Sequence, residues 1–320
     1  MNISRIKNLL VGAALVAVTC VPGLGETLPQ DHTPLAELWV HTSAEYHGLC
    51  HQAYNVATMQ FEKWEPLFVR GEDGKAYLPG SDKPVAIILD LDETVINNSG
   101  YQAFLNRVGA KYTPATWDAW LEFQAVNKKA GRALPGSVDF LRRVEKMGVT
   151  PIYISNRAAG YEDETITVLR NAGVNMDDIE SRVLLRKKGA DLAHEVRQAM
   201  ELTGIEEESE EALKLTEGEG LKEGRRLLIK AKYDVVAYFG DVYGDFEPFL
   251  ELADSGKAKF QQRIESADAN SEKFGRSWFI LPNPMYGYWG VGQTIPKDQV
   301  REALDDFGFE VFLRGRRKVK

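Results

Sequence analysis

The stretch from Pro84 to Gly100, PVAIILDLDETVINNSG, constrains this chain more than any other. Val85 to Leu89 is an unbroken run of five apolar residues, four of them β-branched or leucine, and it stops at Asp90. A run this short, without polar alternation, predicts a strand buried on both faces, as in a parallel sheet covered by helices. Asp90 and Asp92 follow at once, with Glu93 and Thr94 behind them. Carboxylates just past the carboxyl end of a central parallel strand stand where open α/β sheets hold their ligands. Negative charges this close repel one another and need a cation or a shared proton. A hard divalent ion such as Mg2+ is the natural compensation, and it would bring a phosphate with it.

Four more runs extend the pattern. Thr150 to Ile154, TPIYI, ends at Ser155-Asn156-Arg157, and Val183-Leu184-Leu185 reads as a third strand. A hydroxyl and backbone N–H groups at such a strand-to-helix turn make a phosphate seat. Tyr233 to Phe239, YDVVAYF, runs into Gly240-Asp241, with Asp245 close behind. The glycine is expected to let the backbone turn sharply. Trp278 to Leu281 leads into a rigid aromatic loop that carries Tyr286. With right-handed crossovers, Asp90 and Asp241 stand at the same end of one parallel sheet although 151 positions separate them.

Between the strands the period turns helical. Leu35, Leu38, Trp39, Tyr46, Leu49, Cys50, Tyr54 and Phe61 recur near every 3.6 residues, which predicts one helix over 35–65. His41, His47 and His51 lie on it, but no carboxylate or cysteine pattern completes a metal site. Thr113 and Pro114 read as N-cap and first residue of a helix that carries Trp117, Trp120, Leu121 and Phe123. Trp117 is either a core residue or a ring on a lid over the carboxylates. Residues 187–221 differ in composition, with an acidic run from Glu206 to Glu211, and read as a solvated helical excursion. Lys222, Arg225 and Arg226 open the next helix, where a lysine by itself reads as a surface residue.

The N-terminus reads as a targeting segment. Arg5 and Lys7 precede an apolar stretch from Leu9 to Val21, too short to span a bilayer comfortably, and Gly23-Leu24-Gly25 offers a small-x-small cleavage site. Residues 1–25 are therefore expected to be a signal peptide, and residues 26–320 an exported, periplasmic or outer-membrane-associated domain. Lipidation at Cys20 is the alternative, and it would anchor the protein to the outer membrane. After cleavage Cys50 is the only thiol left, so no internal disulfide forms, and it reads as a small buried hydrophobe. A net charge of −8 gives no basic footprint for a nucleic-acid polymer.

Asp90-Leu91-Asp92-Glu93-Thr94, Ser155-Asn156-Arg157, a downstream lysine and Gly240-Asp241 with Asp245 resemble the four motifs of the haloacid dehalogenase superfamily. SAEY at 43–46, TWDAW at 116–120, LPG at 134–136, GDVYGDF at 240–246 and LPNPMYG at 281–287 are similar to its class C acid phosphatases. That branch includes secreted enzymes and outer-membrane lipoproteins acting as 5′-nucleotidases. The likeness spans about residues 35–290. It implies an α/β fold, a doubly wound Rossmann-like parallel sheet with a small helical cap at about 35–66 and 100–133. The stretch at about 187–221 is then an insertion. It implies Asp90 as nucleophile, Asp92 as acid and base, and Ser155 and Asn156 as phosphate-binding residues. Lys222 would stabilise charge on the nucleophile and the transferring phosphoryl group. Lys187 and Lys188 are the alternatives, because relatives carry the lysine close behind the Leu184-Leu185-Arg186 strand. Mg2+ would be held by Asp90, the Asp92 carbonyl, Asp241 and Asp245. Trp117 and Tyr286 would sandwich an aromatic ring of the substrate, or serve as core residues.

The expected function is thus an exported Mg2+-dependent acid phosphatase acting on small phosphomonoesters, 5′-nucleotides among them, through an aspartyl-phosphate. A homo-oligomer stays open. The competing readings are a non-catalytic carrier of haem or another ligand on the same fold, and a dehalogenase. Dehalogenation needs neither Asp92 nor a metal site.

Overall fold

A computed structural model describes residues 33–176, 178–206, 209, 222–246 and 256–287. The expected signal segment, Cys20 and most of the acidic run lie outside these residues.

Nine strands are present among the described residues. A short antiparallel pair, β1 (Val69–Arg70) and β2 (Ala76–Tyr77), precedes β3 (Val85–Leu89). A second pair, β4 (Ile96–Asn97) and β5 (Arg132–Ala133), brackets an excursion from the end of β3. β6 (Thr150–Ala158), β7 (Val183–Arg186), β8 (Asp234–Gly240) and β9 (Trp278–Ile280) complete the main sheet. Its order is β7-β6-β3-β8-β9, and every pairing is parallel. Leu89 lies in register with Tyr153 on one side and Phe239 on the other. β3 and β8 end almost level, whereas β6 runs on through Ser155-Asn156-Arg157 to Ala158 instead of stopping at Ile154 as expected. The chain leaves β3 toward β6 and later returns beside β3 as β8. That reversal opens a crevice at the carboxyl ends of β3 and β8.

The helices are α1 (Thr33–Thr42), α2 (Ala44–Trp64), α3 (Ser99–Val108), α4 (Pro114–Val126), α5 (Ser137–Lys146), α6 (Glu162–Ala172), α7 (Ile179–Arg182), α8 (Gly189–Thr203), α9 (Glu223–Lys232) and α10 (Gly256–Ala269). β3 shows why the apolar run was unbroken. Val85, Ile87 and Leu89 join a core with Tyr54, Phe61, Phe140 and Val168, while Ala86 and Ile88 join a second core with Ile229, Phe246 and Trp278. Helices α2, α5 and α6 therefore cover one face of the sheet, and α9 with the turn after β8 covers the other. Each large apolar side chain so buried contributes about 1.5–3 kcal/mol, which fixes the strand that ends at Asp90. Among the described residues no helix is long and apolar enough to cross a membrane.

The structure departs from the expected helices in two places. The helix over 35–65 is two helices, because Ser43 leaves the helical conformation and its Oγ accepts the Tyr46 N–H at 3.1 Å. A serine that can cap locally ends one helix and starts the next. The excursion after Arg186 is not a solvated arm over its α8 part. Val196 and Met200 are buried with Leu192, Ile205 and Leu227 of α9 around them. The stripe Leu192-Val196-Met200, spaced by four, is a helical packing face.

Between β4 and β5 the chain builds the small cap. α4 starts as expected: Thr113 Oγ1 accepts the Thr116 N–H at 3.1 Å, Thr116 Oγ1 accepts the Thr113 N–H at 3.2 Å, and Pro114 opens the helix. The cap is tied back by the Leu134 N–H donating to the Val95 carbonyl at 2.9 Å.

Candidate active site

Strand order brings the carboxylates together. Asp90 follows β3 and Asp241 follows β8, and the Asp90 N–H donates to the Phe239 carbonyl at 2.9 Å. Asp245 sits on the single turn Tyr243–Asp245, its Oδ2 accepting the Val242 N–H at 3.2 Å. Carboxylate oxygens of Asp90, Asp241 and Asp245 lie within 4.8 Å of one another, a cluster able to hold a metal ion. Gly240 is needed for space rather than for conformation. It is not among the positive-φ glycines, but a Cβ there would lie 2.2 Å from the Asp245 side chain.

Lys222 stands at the cluster, immediately before α9. Its ammonium donates to Asp90 Oδ1 and, at 2.6 Å, to Asp245 Oδ1. Two buried arginines on the first turn of α9 fix it there. Arg225 donates to the carbonyls of Ser155 and Leu184 at 2.5 and 3.0 Å and to Asn156 Oδ1 at 3.1 Å. Arg226 donates to the Gly244 carbonyl at 2.7 Å and to Glu223 at 2.6 Å. The helix is thus stapled to β6, to β7 and to the turn bearing Asp245. Of the rival lysines, Lys187 pairs with Glu195 at 3.5 Å and Lys188 is exposed at the start of α8.

Three carboxylates face one ammonium, so the cluster carries an excess of negative charge. Burial pushes the Asp90 carboxyl up to about 7; Lys222 opposes this, and Asp245 and Asp92 reinforce it. Enclosure, then the charges of Asp90 and Asp245, push Asp241 well above the usual carboxylate range. Burial alone would discharge Lys222, but the adjoining Asp245 and Asp90 outweigh it and raise its pKa, holding the ammonium charged. A divalent cation is the chemistry this donor set lacks.

Asp92 faces a different set of partners. Arg157 grips it with Nη2 at 2.7 Å from Oδ1 and Nε at 3.0 and 3.2 Å from the two oxygens. Asn98 Nδ2 donates to Oδ1 at 2.8 Å, and Ser155 Oγ lies 3.3 Å from Oδ2. Directly after Asp92, Glu93 adopts φ +57, the left-handed region a side chain enters at a cost of about 1–2 kcal/mol. It is held by its N–H to the Ile96 carbonyl at 2.8 Å and by its Oε1, which accepts the Asn98 N–H at 2.6 Å. Burial, then Asp92 and Asp241, push Glu93 well above the usual carboxylate range.

The residues expected for a substrate ring have packing roles of their own. Trp117 is half-buried, edge-on to Tyr101 with centroids 5.2 Å apart, and Tyr286 packs against the main core. The described contacts do not join the two. Asn156, expected at the phosphate, holds Arg225 through its side chain. Arg157, Asn98, Glu93 and Arg225 were not singled out from the sequence. Glu93, Arg157 and Arg225 each stood inside a noted stretch but were given no site role, and Asn98 carried no signal.

Residues 24–289 match the family described as HAD superfamily, subfamily IIIB (Acid phosphatase). The chain is also similar to the solved class C acid phosphatase from Bacillus anthracis, at 30% identity over 86% of this chain and 96% of that one, with a TM-score of 0.61. The structure of that enzyme with tungstate bound matches at the same identity and coverage, with a TM-score of 0.62.

Proposed function

This chain belongs to the acid phosphatases of haloacid dehalogenase subfamily IIIB, and on that premise we propose that it is an exported, Mg2+-dependent enzyme that hydrolyses small phosphomonoesters, 5′-nucleotides among them, through an aspartyl-phosphate on Asp90. The observation that carries this reading is the meeting of Asp90, Asp241, Asp245 and Lys222 at the level ends of β3 and β8. Hard oxygen donors with uncompensated charge fit Mg2+, held by Asp90, Asp241 and the Asp92 carbonyl, with Asp245 as ligand or support. When bound, it would screen the repulsion between the Asp90 carboxylate and the substrate phosphate.

In the first step an Asp90 oxygen attacks phosphorus, forming the acyl phosphate bond as the ester P–O bond breaks. Asp92 gives its proton to the leaving alkoxide. In the second, Asp92 takes a proton from water as that oxygen attacks phosphorus, the bond to Asp90 breaks, and phosphate leaves. Oδ1 of Asp92 receives the two shortest contacts, from Arg157 and Asn98, so Oδ2 is the oxygen left to exchange protons. Lys222 holds Asp90 in place and balances charge on the transferring group. Ser155 seats a phosphate oxygen. The neighbour's bound tungstate, a tetrahedral oxyanion, is in keeping with such a seat. Trp117 and Tyr286 are the candidates to flank a nucleobase. Outside the cytoplasmic membrane the reaction would turn a charged nucleotide into a nucleoside.

The test is phosphate release from a chromogenic phosphomonoester, with Mg2+ or with chelator, by native protein and Asp90→Asn. Activity is expected only in the native protein with Mg2+. Release that survives either the substitution or chelation contradicts the mechanism.

A further inference from the structure

Gln124 lies on α4 in the cap, is fully buried, and hydrogen-bonds to Asn98, Arg157 and the Ala130 carbonyl rather than to a carboxylate of the site. Its Oε1 accepts from Arg157 Nη2 at 3.2 Å, and its Nε2 donates to Asn98 Oδ1 at 2.9 Å. Trp120, one turn earlier on α4, donates its indole N–H to the same Asn98 oxygen at 3.0 Å. Asn98 is therefore pinned from both ends. Two donors from α4 converge on its oxygen, and its Nδ2 donates to Asp92 Oδ1 at 2.8 Å, with Glu93 Oε2 at 3.4 Å. With donors on one side and carboxylates on the other, only one orientation of the amide satisfies every group. The same Gln124 holds the guanidinium that grips Asp92.

We propose that Gln124, with Trp120 beside it, is a positioning residue for Asp92: through Asn98 and Arg157 the cap helix aims the group that protonates the leaving alcohol. This deepens the phosphatase reading above and rests on it. The cap helix that carries Trp117 is thereby wired to the proposed acid of the site.

A misaimed acid has a signature that a loosened fold lacks. An alkyl phosphate needs its leaving oxygen protonated, whereas p-nitrophenolate leaves without that help. The two substrates therefore separate acid positioning from phosphate binding. General acid catalysis contributes about 10²–10⁴-fold, so a displaced but present acid is expected to lose about 10–100-fold. kcat/KM is the quantity to read, because it covers the steps through alcohol release and is blind to the later hydrolysis of the acyl enzyme.

The experiment measures kcat/KM of the full mature protein with Mg2+ for a nucleoside 5′-phosphate and for p-nitrophenyl phosphate, in wild type, Gln124→Met and Trp120→Phe. Gln124→Met keeps the volume and removes the contacts to Asn98 and Arg157, along with a long one to the Ala130 carbonyl. Trp120→Phe keeps a ring and removes the second donor to Asn98, so the proposal stays testable if the first variant does not fold. The expected result is a loss of about 10–100-fold on the alkyl ester in Gln124→Met, a smaller loss in Trp120→Phe, and a change within about threefold on the aryl ester in both. Equal losses on the two substrates, or none on either, overturn the positioning role while leaving the phosphatase reading intact. A wild type that hydrolyses neither substrate overturns the phosphatase reading and this inference with it.

Discussion

Asp90 and Asp92 lie two positions apart, yet the fold gives them unlike surroundings. Asp90 sees one ammonium and two other carboxylates, whereas Asp92 sees a guanidinium, an amide and a hydroxyl. That division is what would let one act as nucleophile and its neighbour as acid and base in the mechanism proposed above. Lys222→Met is expected to lower kcat by about 10²–10³-fold, while Lys187→Ala stays within about twofold. Steady-state rates for the two variants check this, and the reverse ranking would reassign the lysine. The cluster also sets a pH dependence. Asp90 is raised from 3.8 to about 7, so its contribution to stability is complete below 3.8 and is lost as pH rises through about 7. On the proposed reading, bound Mg2+ would offset that loss. The gap in melting temperature between Mg2+-loaded and chelated protein should therefore widen from about pH 4.5 to 7.5, and a gap that narrows would contradict this assignment. The aspartates were legible because Asp90 directly follows an apolar run and Asp241 follows another after one glycine, with Asp92 and Asp245 close behind. Lys222 was legible only through the family likeness, since one lysine at a helix start has no spacing that marks it. Asn98 and Gln124 were not legible, because their roles depend on contacts 26 residues apart that no periodicity encodes.

At the level of elements, the five strands of the main sheet were readable, although β6 runs past Ile154 to Ala158; the four short strands and the helix boundaries were less so. The unbroken run at β3 means that both faces are buried, and Ile87→Ala should cost about 2–5 kcal/mol in a denaturant melt. The break at Ser43 was hidden because apolar spacing continues across it and only the cap bond interrupts the helix. The buried face of α8 was overshadowed by the acidic run beyond it, although Leu192, Val196 and Met200 carried the signal. Gly240→Ala tests how β8 and the turn after it fit together. A Cβ there collides with Asp245, so Mg2+ affinity measured by calorimetry should fall about tenfold or more. Unchanged affinity would mean that Asp245 has no part in holding the ion.

For the whole molecule, the decisive feature is topology. Return of the chain beside β3 as β8 is what joins Asp90 to Asp241, and right-handed crossovers made that juxtaposition readable before any coordinates. Export belongs to this scale too. The mature protein isolated from the periplasm should begin at Glu26, as read by N-terminal sequencing; a retained leader or a lipid on Cys20 would redirect that assignment. The most direct test of the central claim is to trap the covalent intermediate. Protein quenched during turnover with Mg2+ is treated with borohydride, which reduces an aspartyl-phosphate to homoserine, and the peptide containing position 90 is sequenced by mass spectrometry. The account predicts homoserine at position 90, absent after chelation. Steady phosphate release with Asp90 unmodified, or with the label on another residue, would contradict it.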